Sequence, residues 1–146
     1  MPRSATKKEL HILLVEDNPG DVRLTREALD ESKKPYRLTV ACDGVVALDF
    51  LRRSVNKPKE RPDIILLDWN LPRMGGNELL AVVKADEDLK TIPVVVLTTS
   101  RARTDVDRAY ELQANCFITK PVDVNEFFEI IDAVENFWLG TATLPT

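Results

Sequence analysis

Four short apolar runs, each closed at its carboxyl end by polar groups, leave this chain few folds to choose from. They are His-Ile-Leu-Leu-Val before Glu16-Asp17, Ile-Ile-Leu-Leu before Asp68, Val-Val-Val-Leu before Thr98, and Cys-Phe-Ile-Thr before Lys120. Apolar residues at consecutive positions suit a strand buried on both faces. The segments between the runs carry apolar residues at helical spacing. Strands that alternate with helices argue for a parallel sheet covered on both sides. The polar groups then collect at one end of that sheet.

The first strand, roughly 11–16, runs into Asn18-Pro19, a helix cap followed by proline at the first helical position. The helix turns Leu24, Ala28 and Leu29 inward and ends near Lys33. A second strand covers 36–42 and is closed by Asp43-Gly44; Ala47, Phe50 and Leu51 mark the next helix. Residues 63–68 form a central strand, and Gly75-Gly76 opens a helix with Leu79, Val82 and Val83 toward the sheet. Strand four spans 93–98, its helix carries Val106, Ala109 and Tyr110, and strand five covers 115–119. Asp123 with Glu126 three residues on is a capping box for a last helix bearing Phe127, Ile130, Ile131, Val134 and Phe137. The expectation is an α/β (βα)5 chain, doubly wound and flavodoxin-like, with a five-stranded parallel sheet in the order 2-1-3-4-5. Residues 1–9 read as a flexible N-terminus, 10–138 as one domain and 139–146 as a C-terminal extension.

With 146 residues, 44% of them apolar and 30% charged, the chain is long enough and apolar enough for one globular domain. A net charge of −4 gives no general attraction to nucleic acid or to an anionic membrane, so neither is expected as a partner. Arg52-Arg53 and the 57–61 stretch read as a solvated helix end and loop. Cys42 and Cys116 lie in strand-like segments without metal spacing and read as buried reduced thiols. The polar N-terminus has no signal-peptide core and no run is long enough to span a bilayer, so the cytoplasm is the expected compartment.

Open doubly wound sheets bind ligands beyond the carboxyl ends of their strands, where the strand order reverses. In the order 2-1-3-4-5 that point lies between strands one and three, which end in Glu16-Asp17 and Asp68. Each unit-charge pair at about 4 Å costs roughly 4 kcal/mol at an effective dielectric near 20. Either one carboxyl stays protonated or a cation neutralises the group. All-oxygen ligands without a histidine or thiolate shell favour a hard ion such as Mg2+. A cation among carboxylates, with Lys120 and the Thr98 hydroxyl at neighbouring strand ends, suits phosphoryl transfer, with one aspartate as nucleophile. His11, at the amino end of strand one, cannot serve a catalytic triad there, and no phosphate-cradling glycine loop is present.

Leu-Val-Glu-Asp-Asn, Leu-Leu-Asp-Trp-Asn-Leu-Pro, Leu-Thr-Thr-Ser and Thr-Lys-Pro together make residues 10–138 resemble the receiver domain of two-component response regulators. The resemblance implies that Asp68 is the phosphoacceptor, taking its phosphoryl group from a histidine of a sensor kinase. It implies Mg2+ held by Glu16, Asp17, Asp68 and the backbone carbonyl of Asn70, with Thr98 and Lys120 on the attached phosphoryl group. Phe117 takes the place of an aromatic that swings inward when the threonine moves, and the Lys120-Pro121 bond is expected to be cis. The chain departs from the family at Gly75, where an aspartate is usual and a looser loop follows, and at Thr99, where many members carry alanine.

The end of the chain, Glu135-Asn136-Phe137-Trp138-Leu139 and then Thr143-Leu144-Pro145, is similar to the extension of single-domain regulators paired with phytochromes. This implies a phytochrome kinase as partner, a homodimer with Phe137, Trp138, Leu139 and Leu144 as contact candidates, and output through another, unidentified protein. The protein is then a switch that catalyses only its own phosphorylation and dephosphorylation. Two rivals are a phosphorylation-independent adaptor and a small-molecule phosphatase with an aspartyl-phosphate intermediate. Asn70 stands where such a phosphatase needs a second aspartate.

Overall fold

Strands and helices alternate in a computed structural model of the protein, which describes residues 9–98, 103–114, 116–120 and 123–137, and only the backbone of Thr98 and Thr104. In chain order these are β1 (Leu10–Val15), α1 (Pro19–Ser32), β2 (Tyr36–Ala41), α2 (Gly44–Ser54) and β3 (Ile64–Leu67). Then come α3 (Gly76–Ala85), β4 (Val94–Thr98), α4 (Arg103–Glu111), β5 (Cys116–Thr119) and α5 (Val124–Glu135). All strand pairs are parallel and the sheet order is β2-β1-β3-β4-β5, as the sequence predicts.

The apolar runs explain this order. β1 and β3 are buried at every position, so they must lie inside the sheet, whereas β2 and β5 are only partly buried and form its edges. Side chains alternate between two cores. Leu13, Val15, Ile65, Leu67 and Val96 meet α2, α3 and α4 through Leu51, Leu79, Val83 and Ala109. Ile12, Leu14, Leu66 and Val95 meet α1 and α5 through Leu29, Phe127 and Ile131 on the opposite face. Each fully buried Leu or Ile contributes about 1.5–3 kcal/mol by leaving water.

The caps fall where residue types demand them. Asn18 Oδ1 accepts from Asp21 N at 3.1 Å with Pro19 opening α1, and Lys33 ends that helix in the left-handed region, φ 60°. Asp123 Oδ1 accepts from Asn125 N and Glu126 N at 2.7 and 3.2 Å, starting α5.

Three sequence expectations are corrected. β2 stops at Ala41, and Cys42, one residue beyond it, faces outward and is exposed, while Cys116 on edge strand β5 is half-buried; neither thiol is deep in a core. Tyr110 is 51% exposed on α4, and its hydroxyl accepts the Phe117 N–H of edge strand β5 at 3.2 Å. Leu24, Phe50 and Val82 pack only at the margins of the cores, and Leu48 supplies buried area on α2 instead. His11 is buried, with Nε2 2.9 Å from Thr39 Oγ1, and so it is a structural histidine at the end of the sheet away from the acids.

Glu135 is fully buried at the end of α5. Ser32 Oγ, on α1, lies 2.8 Å from the Leu29 carbonyl and 2.5 Å from Glu135 Oε1. One hydroxyl hydrogen cannot serve both acceptors, so a protonated Glu135 donating to Ser32 satisfies the pair. Burial raises the Glu135 pKa, against the opposing pull of Ser32 and Lys34. A raised folded-state pKa means that the folded protein keeps this proton to higher pH than the unfolded chain does. Stability is therefore lost as pH rises above the ordinary glutamate range near about 4.3. Glu135→Gln, measured by urea unfolding, should gain on the wild type as pH is raised from the ordinary glutamate range toward the alkaline side. A gap that stays constant over that rise would contradict a protonated Glu135.

Candidate functional site: an acidic cluster beside a buried lysine

Backbone pairing brings the acids together. Val15 pairs with Leu67 in the parallel register, and the Asp68 N–H donates to the Val15 carbonyl at 3.0 Å. The Glu16 N–H donates to the Ala41 carbonyl at 3.0 Å, which fixes the residue against β2. As a result Glu16, Asp17 and Asp68 each offer a carboxylate oxygen within 4.8 Å of the others. Their exposure is graded: Glu16 is buried, Asp68 half-buried and Asp17 exposed.

Lys120, just past β5, reaches into the same crevice. Its side chain is 10% exposed, and Nζ donates to Glu16 Oε1 and to Asp21 Oδ2, the latter at 3.0 Å. Burial pulls the Lys120 pKa down, but the bonds to Glu16 and Asp21 outweigh it, so the ammonium is held above its usual range. Glu16 is pushed up to about 7, chiefly by burial, with Lys120 opposing and Asp68 adding to the rise. Lys120 thus supplies one positive charge where three carboxylates meet. The sequence pattern pointed Lys120 to this crevice; it did not reveal Asp21, which lies in the first turn of α1.

The remaining expected residues are placed as follows. Asn70 is exposed on the β3–α3 loop, two residues after Asp68. Thr98 ends β4 and pairs with Thr119 of β5, so its backbone reaches the same edge of the sheet; its side chain lies outside the described atoms. Phe117 is partly buried and meets Trp69 edge-on, with ring centroids 6.3 Å apart at 72°. Trp69 itself is buried next to Asp68. Phe137 is 48% exposed past α5. Trp138, Leu139 and Leu144, together with Thr99 and Pro121 of the expected cis bond, lie outside the described residues.

The β3–α3 loop is packed where the sequence suggested looseness. A Cβ on Gly76 would stand 2.6 Å from the Asp68 carbonyl oxygen and 2.8 Å from Trp69 Cα, so only glycine allows that approach. Gly75 does leave α3 without a side-chain cap. Arg73 pairs with Asp43 across this loop, a contact no local pattern announces.

The donor set suits a hard divalent cation: carboxylate oxygens only, one of them exposed enough to exchange water.

Residues 12–132 match the response regulator receiver domain, and the chain belongs to that family. It is 47% identical to the response regulator Rcp1 of Synechocystis sp. over 92% of each chain. The solved structure of the phosphorylated cyanobacterial phytochrome response regulator RcpA is similar at 46% identity, TM-score 0.87, covering 94% of this chain and 99% of that one. The Mn2+-bound form of Rcp1 is similar at 45% identity, TM-score 0.84, with the same coverage.

Asp17→Asn removes the exposed carboxylate of the cluster and one source of repulsion. Calorimetric titration should show Mg2+ affinity falling at least about tenfold, equivalent to about 1.4 kcal/mol. The metal-free melting temperature should hold or rise. Undiminished Mg2+ affinity would remove Asp17 from the ligand set.

Proposed function

We propose that the protein is a phosphoacceptor switch of a His-Asp phosphorelay, with Asp68 taking the phosphoryl group from a phosphohistidine of a sensor kinase. The observation that supports this most is Asp68 set beside Glu16 and Asp17 with a buried lysine in the same crevice. In the transfer an Asp68 carboxylate oxygen bonds to phosphorus as the phosphorus–nitrogen bond breaks, and the imidazole keeps the electron pair. Glu16, Asp17, Asp68 and the Asn70 carbonyl would hold Mg2+, which when bound spreads the charge of the phosphoryl oxygens. Lys120 would exchange Glu16 for a phosphoryl oxygen, and Thr98 would hydrogen-bond another.

That exchange is the switch. Phe117, packed at the margin of one core against Trp69, would follow Thr98 inward. Taking a 1:99 mixture to 99:1 requires about 5.5 kcal/mol, which several charge-assisted contacts supply and one does not. The chain would turn over no external substrate. Residues 10–138 would be the receiver and 139–146 an arm. The kinase would be a phytochrome, as the relatives' descriptions suggest, and output would pass to another protein. No helix among the described residues is long and apolar enough to cross a membrane, which is consistent with a cytoplasmic setting.

A homodimer fits the exposed Phe137. It borders an apolar cavity of about 220 Å3 between α5 and edge strand β5, lined also by Cys116, Ile118, Ile130 and Val134. Trp138, Leu139 and Leu144 would extend that contact.

Asp68→Asn should keep the fold and lose all labelling by acetyl phosphate in Mg2+. Stoichiometric label on that variant would sink the assignment. For the dimer, truncation after Glu135 should move the sedimentation profile toward monomer; an unchanged profile would place the interface elsewhere.

A further inference from the structure

Arg73, on the β3–α3 loop, is used by neither the cation nor the phosphoryl chemistry, yet it is held in a conformation that its side chain disfavours. Its φ is 62°, in the left-handed region that suits glycine or asparagine. Asp43 holds it there: Nε lies 2.8 Å from Oδ2 and Nη2 3.2 Å from Oδ1, the fork-on-carboxylate arrangement. Asp43 is 5% exposed, and its Oδ1 also accepts the Val46 N–H at 2.9 Å as the cap of α2. The Arg73 guanidinium holds the Asp43 carboxyl below the usual carboxylate range.

The next residue repeats the joint. A Cβ on Gly44 would stand 2.5 Å from the Met74 carbonyl oxygen and 2.8 Å from its Cβ, so Met74 closes directly on the first residue of α2. Residues 73–74 are therefore fastened to 43–44. At the other side of the loop Gly76 closes on Asp68, and its N–H donates to the Trp69 carbonyl at 3.0 Å. The segment between these fastenings contains Asn70. Gly75 adds no side-chain cap, and Arg73 ties the loop through its side chain to Asp43.

We propose that the Arg73–Asp43 pair is a positioning latch that sets Asp68 and the Asn70 backbone for the divalent cation by tying the phosphoacceptor loop to the start of α2. This rests on reading the acidic cluster as a cation-dependent phosphoacceptor site. The latch acts through the loop, and neither residue touches the reacting atoms. Freed of it, the loop samples other conformations, and cation binding must first restore the competent one.

The test uses the full chain and four variants: Arg73→Gly, which removes the left-handed strain with the latch; Arg73→Lys; Asp43→Asn, which keeps an oxygen to cap α2; and the double Arg73→Gly/Asp43→Asn. In metal-free protein the Gly76 amide should exchange at least tenfold faster in Arg73→Gly. Calorimetric Mg2+ affinity should fall about fivefold or more in Arg73→Gly and in Asp43→Asn, with no further loss in the double variant. Arg73→Lys should recover part of the loss. Acetyl phosphate labelling should need more Mg2+ for its half-maximal rate, with the maximal rate little changed. Unaltered Mg2+ affinity in both single variants, or losses that add in the double, would overturn the latch. If Asp68 of the wild type takes no label while the affinity losses appear, the latch stands and the phosphoacceptor reading falls. Label on the wild type with unaltered affinities removes the latch alone.

Discussion

Three carboxylates within 4.8 Å of one another are the constraint on which the rest of this structure depends. They repel, and nothing in a sheet edge favours such a grouping. The parallel pairing of β1 with β3 imposes it, because Val15 and Leu67 are partners and each strand is followed at once by its acids. The cost is met locally by Lys120 and by burial that favours the protonated form of Glu16. A site that is costly without a cation is suited to bind one, which is the ground for the cation-dependent reading proposed above.

The two cores make that imposition rigid. β1 and β3 carry buried residues on both faces, so sliding either by one position would expose a full row of Leu, Ile and Val. The acids cannot separate without moving strands that the cores hold. The residues of the proposed switch lie at the margins instead: Lys120 beyond β5, Phe117 on the edge strand, and the loop after β3. The exposed Tyr110 hydroxyl bound to the Phe117 N–H ties α4 to that same edge.

The fold and most of the site were legible because they follow from local pattern. Unbroken apolar runs marked the central strands, Asn18-Pro19 and Asp123 marked helix starts, and the polar residues ending each run marked the site. Cys42 was misplaced because strand and turn propensity do not say on which residue an edge strand stops. Tyr110 was ambiguous because a tyrosine at helical spacing suits either a core or a hydroxyl contact at its rim. Asp21 and the Asp43–Arg73 pair left no sequence signal, since each joins residues far apart in the chain through a side chain common on any surface.

By itself the sequence determined the number and order of elements, the central place of β1 and β3, and the end of the sheet at which Glu16, Asp17, Asp68, Thr98 and Lys120 gather. Hydrophobic periodicity and capping chemistry are properties of neighbours along the chain, so they survive without coordinates. Tertiary structure alone decided which charge answers which: Lys120 with Glu16 and Asp21, Arg73 with Asp43, and a buried Glu135 against Ser32. Those choices depend on distance and burial, and both are set only when strands and loops remote in sequence have packed.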